Sequence, residues 1–86
     1  MVKLAGTLDE GALAERLSAC DAAVVMKVGR NLEKIRAAAE RAGVLARAIY
    51  VERGAMQGER VLPLADVVEA APYFSMVLVP GRQRPR

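Results

Sequence analysis

The chain has 86 residues, 53% of them hydrophobic and 27% charged, a composition that fits one globular domain and excludes an intrinsically disordered chain. The formal net charge is +3, but Arg82, Arg84 and Arg86 supply an excess equal to all of it, so a broad basic face for nucleic acid is not predicted. One cysteine and no histidine exclude an internal disulfide and the common zinc patterns, and no apolar run approaches the about 20 residues of a membrane span.

The residue types that are scarce in this chain also indicate which ligands and which cellular compartment to expect. Tyr50, Tyr73 and Phe74 are the only aromatic residues, so aliphatic side chains must fill the core, and a stacking platform for single-stranded nucleic acid is not expected. The single thiol, Cys20, fits a reducing compartment. We therefore expect a cytoplasmic protein with no nucleic-acid partner, no membrane association and no protein-bound metal.

The amino-terminal part predicts a short strand and then a helix. The predicted strand is Val2 to Leu4. Thr7 to Glu10 fits a capping box, in which the Thr hydroxyl accepts a hydrogen bond from a backbone N–H of the first helical turn, so a helix is predicted to begin here. Apolar residues then recur at steps of three and four, which is typical of a helix with one buried face: Leu8, Ala12, Leu13, Leu17 and Cys20. Cys20 is interpreted as a core residue, because no histidine is present to activate it.

A second strand and helix follow in the middle of the chain. Ala22 to Val28 is almost wholly apolar, which predicts a central strand covered by helices on both faces. Gly29 ends this strand, Asn31 is placed to cap the next helix, and Gly43 is placed to end that helix. The buried stripe of this helix is predicted to be Leu32, Ile35, Ala39 and Ala42.

The carboxyl-terminal half predicts three further strands and one short helix. The strands are Ala48 to Glu52, Glu59 to Leu64 and Tyr73 to Val79, and the helix is Leu64 to Ala71. This order of elements predicts the α/β class: a single three-layer domain over residues 1–81, with a mixed, mostly parallel sheet of about five strands flanked by helices. Residues 82–86 are expected to be a disordered basic tail.

The candidate site lies where two of these strands end. If the second and third strands are parallel neighbours, Met26 to Gly29 and Gly54 to Met56 emerge at the same sheet edge, where α/β proteins bind ligands. Backbone groups beside a glycine can read an adenine ring or a carboxylate without a special side chain. Two interpretations stay open at this point: the glycines admit a ligand, or they only turn the chain while Met26 packs in the core.

Charged residues near this edge give weaker signals. Lys27, Arg30 and Arg53 could hold acidic groups of a ligand, although such side chains are usually solvated. Glu52 and Glu59 lie on opposite sides of a loop with no fixed separation, so they do not predict an acid/base pair. The glycines of a dinucleotide motif or a P-loop are absent after the second strand. No catalytic residue is assigned.

Three ordered blocks of sequence carry a resemblance to a known family. MKVGRNLEKIR at Met26 to Arg36, IYVERGAMQGERVLPL at Ile49 to Leu64 and PYFSMVLV at Pro72 to Val79 resemble the carboxyl-terminal half of the precorrin-2 C20-methyltransferases, which are tetrapyrrole methylases. The similarity runs from about Gly6 to Pro80. The resemblance implies that this chain is the C-terminal, cofactor-side domain of an enzyme that transfers a methyl group from S-adenosylmethionine to C20 of precorrin-2. The product is precorrin-3A, in cobalamin (vitamin B12) biosynthesis.

The resemblance also implies which residues contact the cofactor. In this family, backbone contacts come from the methionine that ends a strand and from the small residue after a Glu-Arg pair. These positions match Met26 and Gly54 here, and Ala55 follows them. Family members commonly have Ala-Thr where this chain has Gly54-Ala55, so a Thr hydroxyl contact is missing, and Gly58 stands where Glu or Asp is frequent. Lys27 and Arg30 remain the candidates for binding the substrate.

Finally, the resemblance implies what this chain lacks. In the family the cofactor lies between two domains and the tetrapyrrole occupies the adjoining trough, but the amino-terminal domain is not in these 86 residues. We therefore expect a piece of a longer homodimeric enzyme that has no methyltransferase activity alone, binds S-adenosylmethionine or its product S-adenosylhomocysteine weakly, and self-associates. The alternative is a stand-alone α/β interaction or dimerisation module without catalysis. A basic nucleic-acid binder is the third possibility.

Overall fold

A five-stranded sheet and two α-helices make up the domain. The computed structural model describes residues 2–54, 58–68 and 75–81. Its strands are β1 (Val2–Ala5), β2 (Ala23–Met26), β3 (Ile49–Gly54), β4 (Gly58–Pro63) and β5 (Ser75–Val79), and its helices are α1 (Glu10–Ala19) and α2 (Leu32–Arg41). Short 3-10 turns occupy Gly29–Asn31, Leu45–Arg47 and Leu64–Asp66. The predicted α/β class with a mixed five-stranded sheet is confirmed.

Most of the strand pairs in this sheet are antiparallel. The strand order is β1-β2-β5-β3-β4, and of the pairs in the described ranges only β1 and β2 run parallel. The prediction of a mostly parallel sheet is therefore wrong, and the condition that β2 and β3 are adjacent is not met, because β5 lies between them. β5 is antiparallel to both, so β2 and β3 still run in the same direction and their carboxyl ends share one sheet edge.

Both helices cover the same face of the sheet. They pack against each other and share one core cluster with strand residues such as Val25, Tyr50 and Val77. Val24 and Val51, on the opposite face, are buried outside that cluster. The described residues therefore form two layers instead of the predicted three. The order of the strands explains this arrangement. The β1–α1–β2 and β2–α2–β3 connections both move in the same direction across the sheet. Since connections between parallel strands are right-handed, both helices lie on the same side of the sheet.

Helix α1 begins later than the capping-box pattern predicts. Asp9 occupies the N-cap position and its side chain makes no capping hydrogen bond, so the Thr7 cap is not formed. The buried face of the helix is nevertheless close to the predicted stripe, with Leu13, Ala14 and Leu17 in the core and Leu8 and Cys20 packed against it. Cys20 is half-buried and packs against the core cluster, so its interpretation as a core residue is confirmed only in part.

Helix α2 begins differently from the prediction and ends as predicted. Asn31 stands at the N-cap position, but its side-chain amide donates to the Lys27 carbonyl at 2.9 Å and makes no cap. At the other end Gly43 takes φ +76°, a left-handed conformation that glycine adopts without strain. The N–H groups of Gly43 and Val44 donate to carbonyls of the last turn and complete a Schellman motif. The buried stripe is Leu32, Ile35, Ala38 and Ala39, with Ala42 half-buried beside it.

The carboxyl-terminal half contains a hairpin and the last strand. β3 and β4 pair from Ile49 with Pro63 to Gly54 with Gly58. The helix predicted from Leu64 shrinks to the turn Leu64–Asp66, because Val67 already has an extended backbone. Residues 69–74, which include the end of that predicted helix and the start of the predicted last strand, lie outside the described residues, as does the predicted tail at 82–86.

Candidate functional site at the carboxyl ends of β2 and β3

The candidate site is the sheet edge at which β1, β2 and β3 end and β5 begins. Met26 ends β2 and Gly54 ends β3, so both predicted cofactor contacts lie at this edge. The width of β5 separates them, which puts them at least about 10 Å apart, two strand spacings. Ala55, the third predicted contact, lies outside the described residues.

The carbonyl of Met26 is held by the chain that leaves β1. The Gly6 N–H donates to the Met26 oxygen at 2.7 Å, one residue beyond the last pair of β1 with β2. A Cβ atom at position 6 would lie 2.6 Å from the Lys27 oxygen and 2.9 Å from the Met26 oxygen, distances that no side chain tolerates. Gly6 therefore allows the end of β1 to fix the end of β2 by a close backbone contact.

Lys27 turns the chain out of the sheet. Its φ is +58°, a left-handed value that is uncommon for a residue with a side chain, and its carbonyl accepts the Asn31 amide. In a trans peptide bond the C=O of one residue and the N–H of the next point in opposite directions. The Met26 carbonyl points toward β1, where it accepts the Gly6 N–H, so the Lys27 N–H points toward β5. Within residues 2–54, 58–68 and 75–81 this N–H has no hydrogen-bond acceptor.

The ladder between β2 and β5 ends at the same level. Its last pair is Val25 with Val77, and a continued register would place Lys27 opposite Ser75, but that pair is not formed. On its other side, Ser75 remains paired with Glu52 of β3. We call the unpaired position between Lys27 and Ser75 the β2–β5 slot. A backbone donor that faces such an unpaired position is the kind of group that orients a planar heterocyclic ligand.

A polar cluster adjoins the β2–β5 slot on the helix-covered face. Glu52 lies opposite Ser75 on one side and Arg60 on the other, and residues that are directly opposite share a face. The Tyr50 hydroxyl donates to Glu52 Oε1 at 2.8 Å, and Arg60 Nη2 lies 3.5 Å from the same oxygen. Ser75 is 4% exposed, and its Oγ has no hydrogen-bond partner in the described part of the chain. A buried hydroxyl without a partner is rare in native structures, so Ser75 is a candidate contact for a water or a ligand.

One other described side chain has buried polar atoms without partners. Nε and Nη2 of Arg36 make no hydrogen bond, while Nη1 pairs with Glu33 at 3.1 Å. The Arg36 side chain keeps 22% of its exposure, so water reaches its edge. Ser75 is thus the fully enclosed unpartnered group, and it is the one at the candidate edge.

The charged residues predicted at this edge have different surroundings. The side chains of Lys27 and Arg30 are exposed and make no ion pair with any described residue, so they are free to meet acidic groups of a ligand. The β3–β4 hairpin sets Glu52 opposite Arg60 and Arg53 opposite Glu59.

Sequence reasoning did not find Ser75 or the cluster around Glu52. Finding them needs the position of β5 between β2 and β3, which no local pattern reports. One signal was present: Ser75 is the one small polar residue within the otherwise apolar and aromatic run YFSMVLV. Its position in a strand, two residues before the buried Val77, predicts a polar group that faces the core.

The described residues offer no other binding chemistry at this edge. No group of three or more His, Cys, Asp or Glu residues in the described ranges is placed to hold a metal ion. Among the helices described, none has both the length and the apolar character needed to cross a membrane.

A separate cavity of about 450 Å³ lies between the carboxyl ends of α1 and α2, beside Cys20 and Arg47, at the opposite end of the sheet. Arg47 is engaged there, since its Nε donates to the Pro80 carbonyl at 3.0 Å.

Together, the fold and the slot define a small α/β domain with a candidate ligand site at the carboxyl ends of its strands. The chain is 52% identical over 84 residues to the precorrin-2 C(20)-methyltransferase of Sinorhizobium sp, a match that covers 95% of this chain and 34% of that protein. It is 50% identical over 82 residues to cobalamin biosynthesis protein CobIJ of Mycobacterium tuberculosis (strain ATCC 25618 / H37Rv) and of Mycobacterium bovis, covering 94% of this chain and 16% of each relative. No family model matches the chain. The resemblance to precorrin-2 C20-methyltransferases is confirmed, and the chain spans about a third of the length of one relative and about a sixth of the others.

Proposed function

We propose that this chain is the C-terminal, cofactor-side domain of an S-adenosylmethionine-dependent methyltransferase of cobalamin biosynthesis. The whole enzyme would methylate C20 of precorrin-2 to give precorrin-3A in the cytoplasm. The similarity to the Sinorhizobium methyltransferase supports this reaction. The observation that carries the site is the Lys27 N–H, which faces Ser75 across the β2–β5 slot without an acceptor in the described residues.

The residues at the edge fit a nucleoside cofactor. The slot offers a backbone donor and an unpartnered buried hydroxyl, and position 54 carries no side chain that would close the edge. S-adenosylmethionine, when bound, supplies the methyl group on its sulfonium. Transfer of that group to carbon depends chiefly on alignment, so the chain contributes by holding the nucleoside and needs no acid/base pair. The exposed side chains of Lys27 and Arg30 bind acidic groups of the tetrapyrrole.

The proposed enzyme has two further partners besides the tetrapyrrole. An amino-terminal domain encloses the other side of the cofactor, and a second copy forms a homodimer. Exposed apolar side chains near the outer strand β4, Val61 at 58% and Val68 at 89%, support contacts of this region with another protein surface. The same observation favours the alternative of an interaction module without catalysis.

Titration with S-adenosylhomocysteine is expected to shift the backbone amide resonances of residues 26–29, 54 and 75. Because half of the enclosing surface is absent, we expect millimolar affinity, which NMR detects. Gly54→Val is expected to weaken binding at least tenfold, since a β-branched side chain fills the edge. Gly54→Ala is the matched control and should retain affinity, because a small residue is accommodated there.

Three outcomes of this titration count against the proposal or part of it. If the amide spectrum stays unchanged at 10 mM ligand, a cofactor site is refuted and the interaction module is favoured. If the shifts cluster around Cys20 and Arg47, the ligand occupies the cavity at the opposite end of the sheet. Equal affinity of wild type and Gly54→Val removes Gly54 from the site.

The isolated chain is expected to show no turnover of precorrin-2 with S-adenosylmethionine. A polypeptide that joins the amino-terminal region of the Sinorhizobium methyltransferase to this chain is expected to form precorrin-3A, because the cofactor is then enclosed on both sides. Absorbance and mass spectra of the tetrapyrrole measure the product, and the intact Sinorhizobium enzyme is the positive control. Turnover by the 86-residue chain alone contradicts the two-domain proposal.

A further inference from the structure

We propose that the side chains of Glu52 and Ser75 form a subsite for a vicinal diol, the 2′- and 3′-hydroxyls of a ribose. This inference rests on the proposed nucleoside site and extends it from backbone groups to two specific side chains. The two residues lie directly opposite each other on β3 and β5, on the helix-covered face and beside the β2–β5 slot. Directly opposite residues have Cβ atoms about 5 Å apart, so one small ligand group reaches both.

The hydrogen bonds already made by Glu52 leave capacity for a ligand. Tyr50 and Arg60 both bind Oε1, and no described residue donates a hydrogen bond to Oε2. The Glu52 side chain is 14% exposed, so it is largely buried but still reached by solvent. A carboxylate accepts hydrogen bonds and donates none, which selects hydroxyl or amine groups as its partners.

Ser75 supplies the second, independent sign of a ligand. Its side chain is more than nine-tenths buried and its Oγ is unpartnered in the described residues, although a carboxylate lies across the strand pair. A hydroxyl both donates and accepts, so Ser75 can bond one hydroxyl of a diol while Glu52 Oε2 accepts from the other. An ammonium group would satisfy Glu52, but it only donates and would leave the Ser75 proton unpaired. A diol satisfies both residues.

Adenosine and 2′,3′-dideoxyadenosine test this subsite directly, because they differ only in the two hydroxyls. With the wild-type chain, adenosine is expected to bind about tenfold more tightly than the dideoxy compound, the size of one hydrogen bond to a charged group. Ser75→Ala and Glu52→Gln are expected to weaken adenosine binding by about three- to tenfold and to leave binding of dideoxyadenosine unchanged. Amide chemical shifts measure the affinities and report whether each variant is folded.

Ser18→Ala is the matched control for this experiment. Ser18 is an exposed serine at the far end of α1 whose hydroxyl donates to the Glu15 carbonyl at 3.0 Å, so its removal should change neither affinity. Equal binding of both nucleosides by wild type overturns the diol subsite while leaving a nucleoside site intact. Preference for adenosine that survives in both variants overturns the roles of Glu52 and Ser75. Failure of both nucleosides and of S-adenosylhomocysteine to bind refutes the proposed function itself.

Discussion

Gly6→Ala is expected to lower the free energy of unfolding by about 2 to 3 kcal/mol, the upper part of the usual range for overpacking. The added Cβ would meet the oxygens of Lys27 and Met26 at 2.6 and 2.9 Å and Ile35 Cδ1 at 3.0 Å. Two of these three atoms belong to the backbone, so no rotamer change relieves the clash. A domain of this size is stable by about 4 to 13 kcal/mol, so the loss is a large fraction. Urea denaturation followed by circular dichroism measures it.

Gly11→Ala provides the matched control. Gly11 lies in α1, and a Cβ there would meet only Asp9 Oδ2 at 3.6 Å, an ordinary contact. Alanine in a helix is favoured over glycine by about 0.5 to 1 kcal/mol, so this variant should be as stable as wild type or more stable. If Gly6→Ala is as stable as Gly11→Ala, the close contact between the chain after β1 and the end of β2 is not formed in solution.

The contact at Gly6 also shows why the helix caps were harder to predict than the helices. The buried stripes follow from the spacing of apolar residues, and the Schellman ending follows from one glycine, so both are local. Caps depend on where the preceding chain is held. Gly6 is tied to Met26, which moves the start of α1 past Thr7, and the Asn31 side chain is used to fix the turn at Lys27.

In the sheet, too, local sequence predicts the strands, whereas strand order and register depend on residues that are distant in the chain. The apolar run that became β2 correctly indicates a central strand, since β2 has β1 and β5 as neighbours. Periodicity does not report which strand lies beside it, so the return of β5 was missed. The direction of β2 and β3 was sufficient to bring Met26 and Gly54 to one edge. The register of Ser75 with Glu52 was needed to find the polar cluster, and register is a property of the folded sheet.

Tyr50 connects the core with that polar cluster, and Tyr50→Ala is expected to lose about 4 kcal/mol of unfolding free energy. Its ring is fully buried in the core, and truncation of a large aromatic side chain costs about 3 to 5 kcal/mol through lost contacts and a cavity. Ile49→Ala is the matched control on the same strand. Ile49 points to the opposite face and is only half-buried, so its loss should be smaller, about 1 to 2 kcal/mol. Thermal and urea unfolding measure both, and equal losses would contradict the assignment of the core to the helix-covered face.

Tyr50→Phe separates the packing of this ring from its hydrogen bond. Phenylalanine keeps the ring and removes the hydroxyl, and with it the hydrogen bond to Glu52 Oε1, so we expect about 1.5 to 3 kcal/mol of destabilisation and a folded domain. Of the two described partners of Oε1, only Arg60 then remains, and its exposed guanidinium, 3.5 Å away, fixes the carboxylate less firmly. The preference for adenosine over dideoxyadenosine should therefore fall in Tyr50→Phe, although Tyr50 itself contacts no ligand. A folded Tyr50→Phe chain with the full preference would show that Glu52 needs no support from Tyr50 to keep its position.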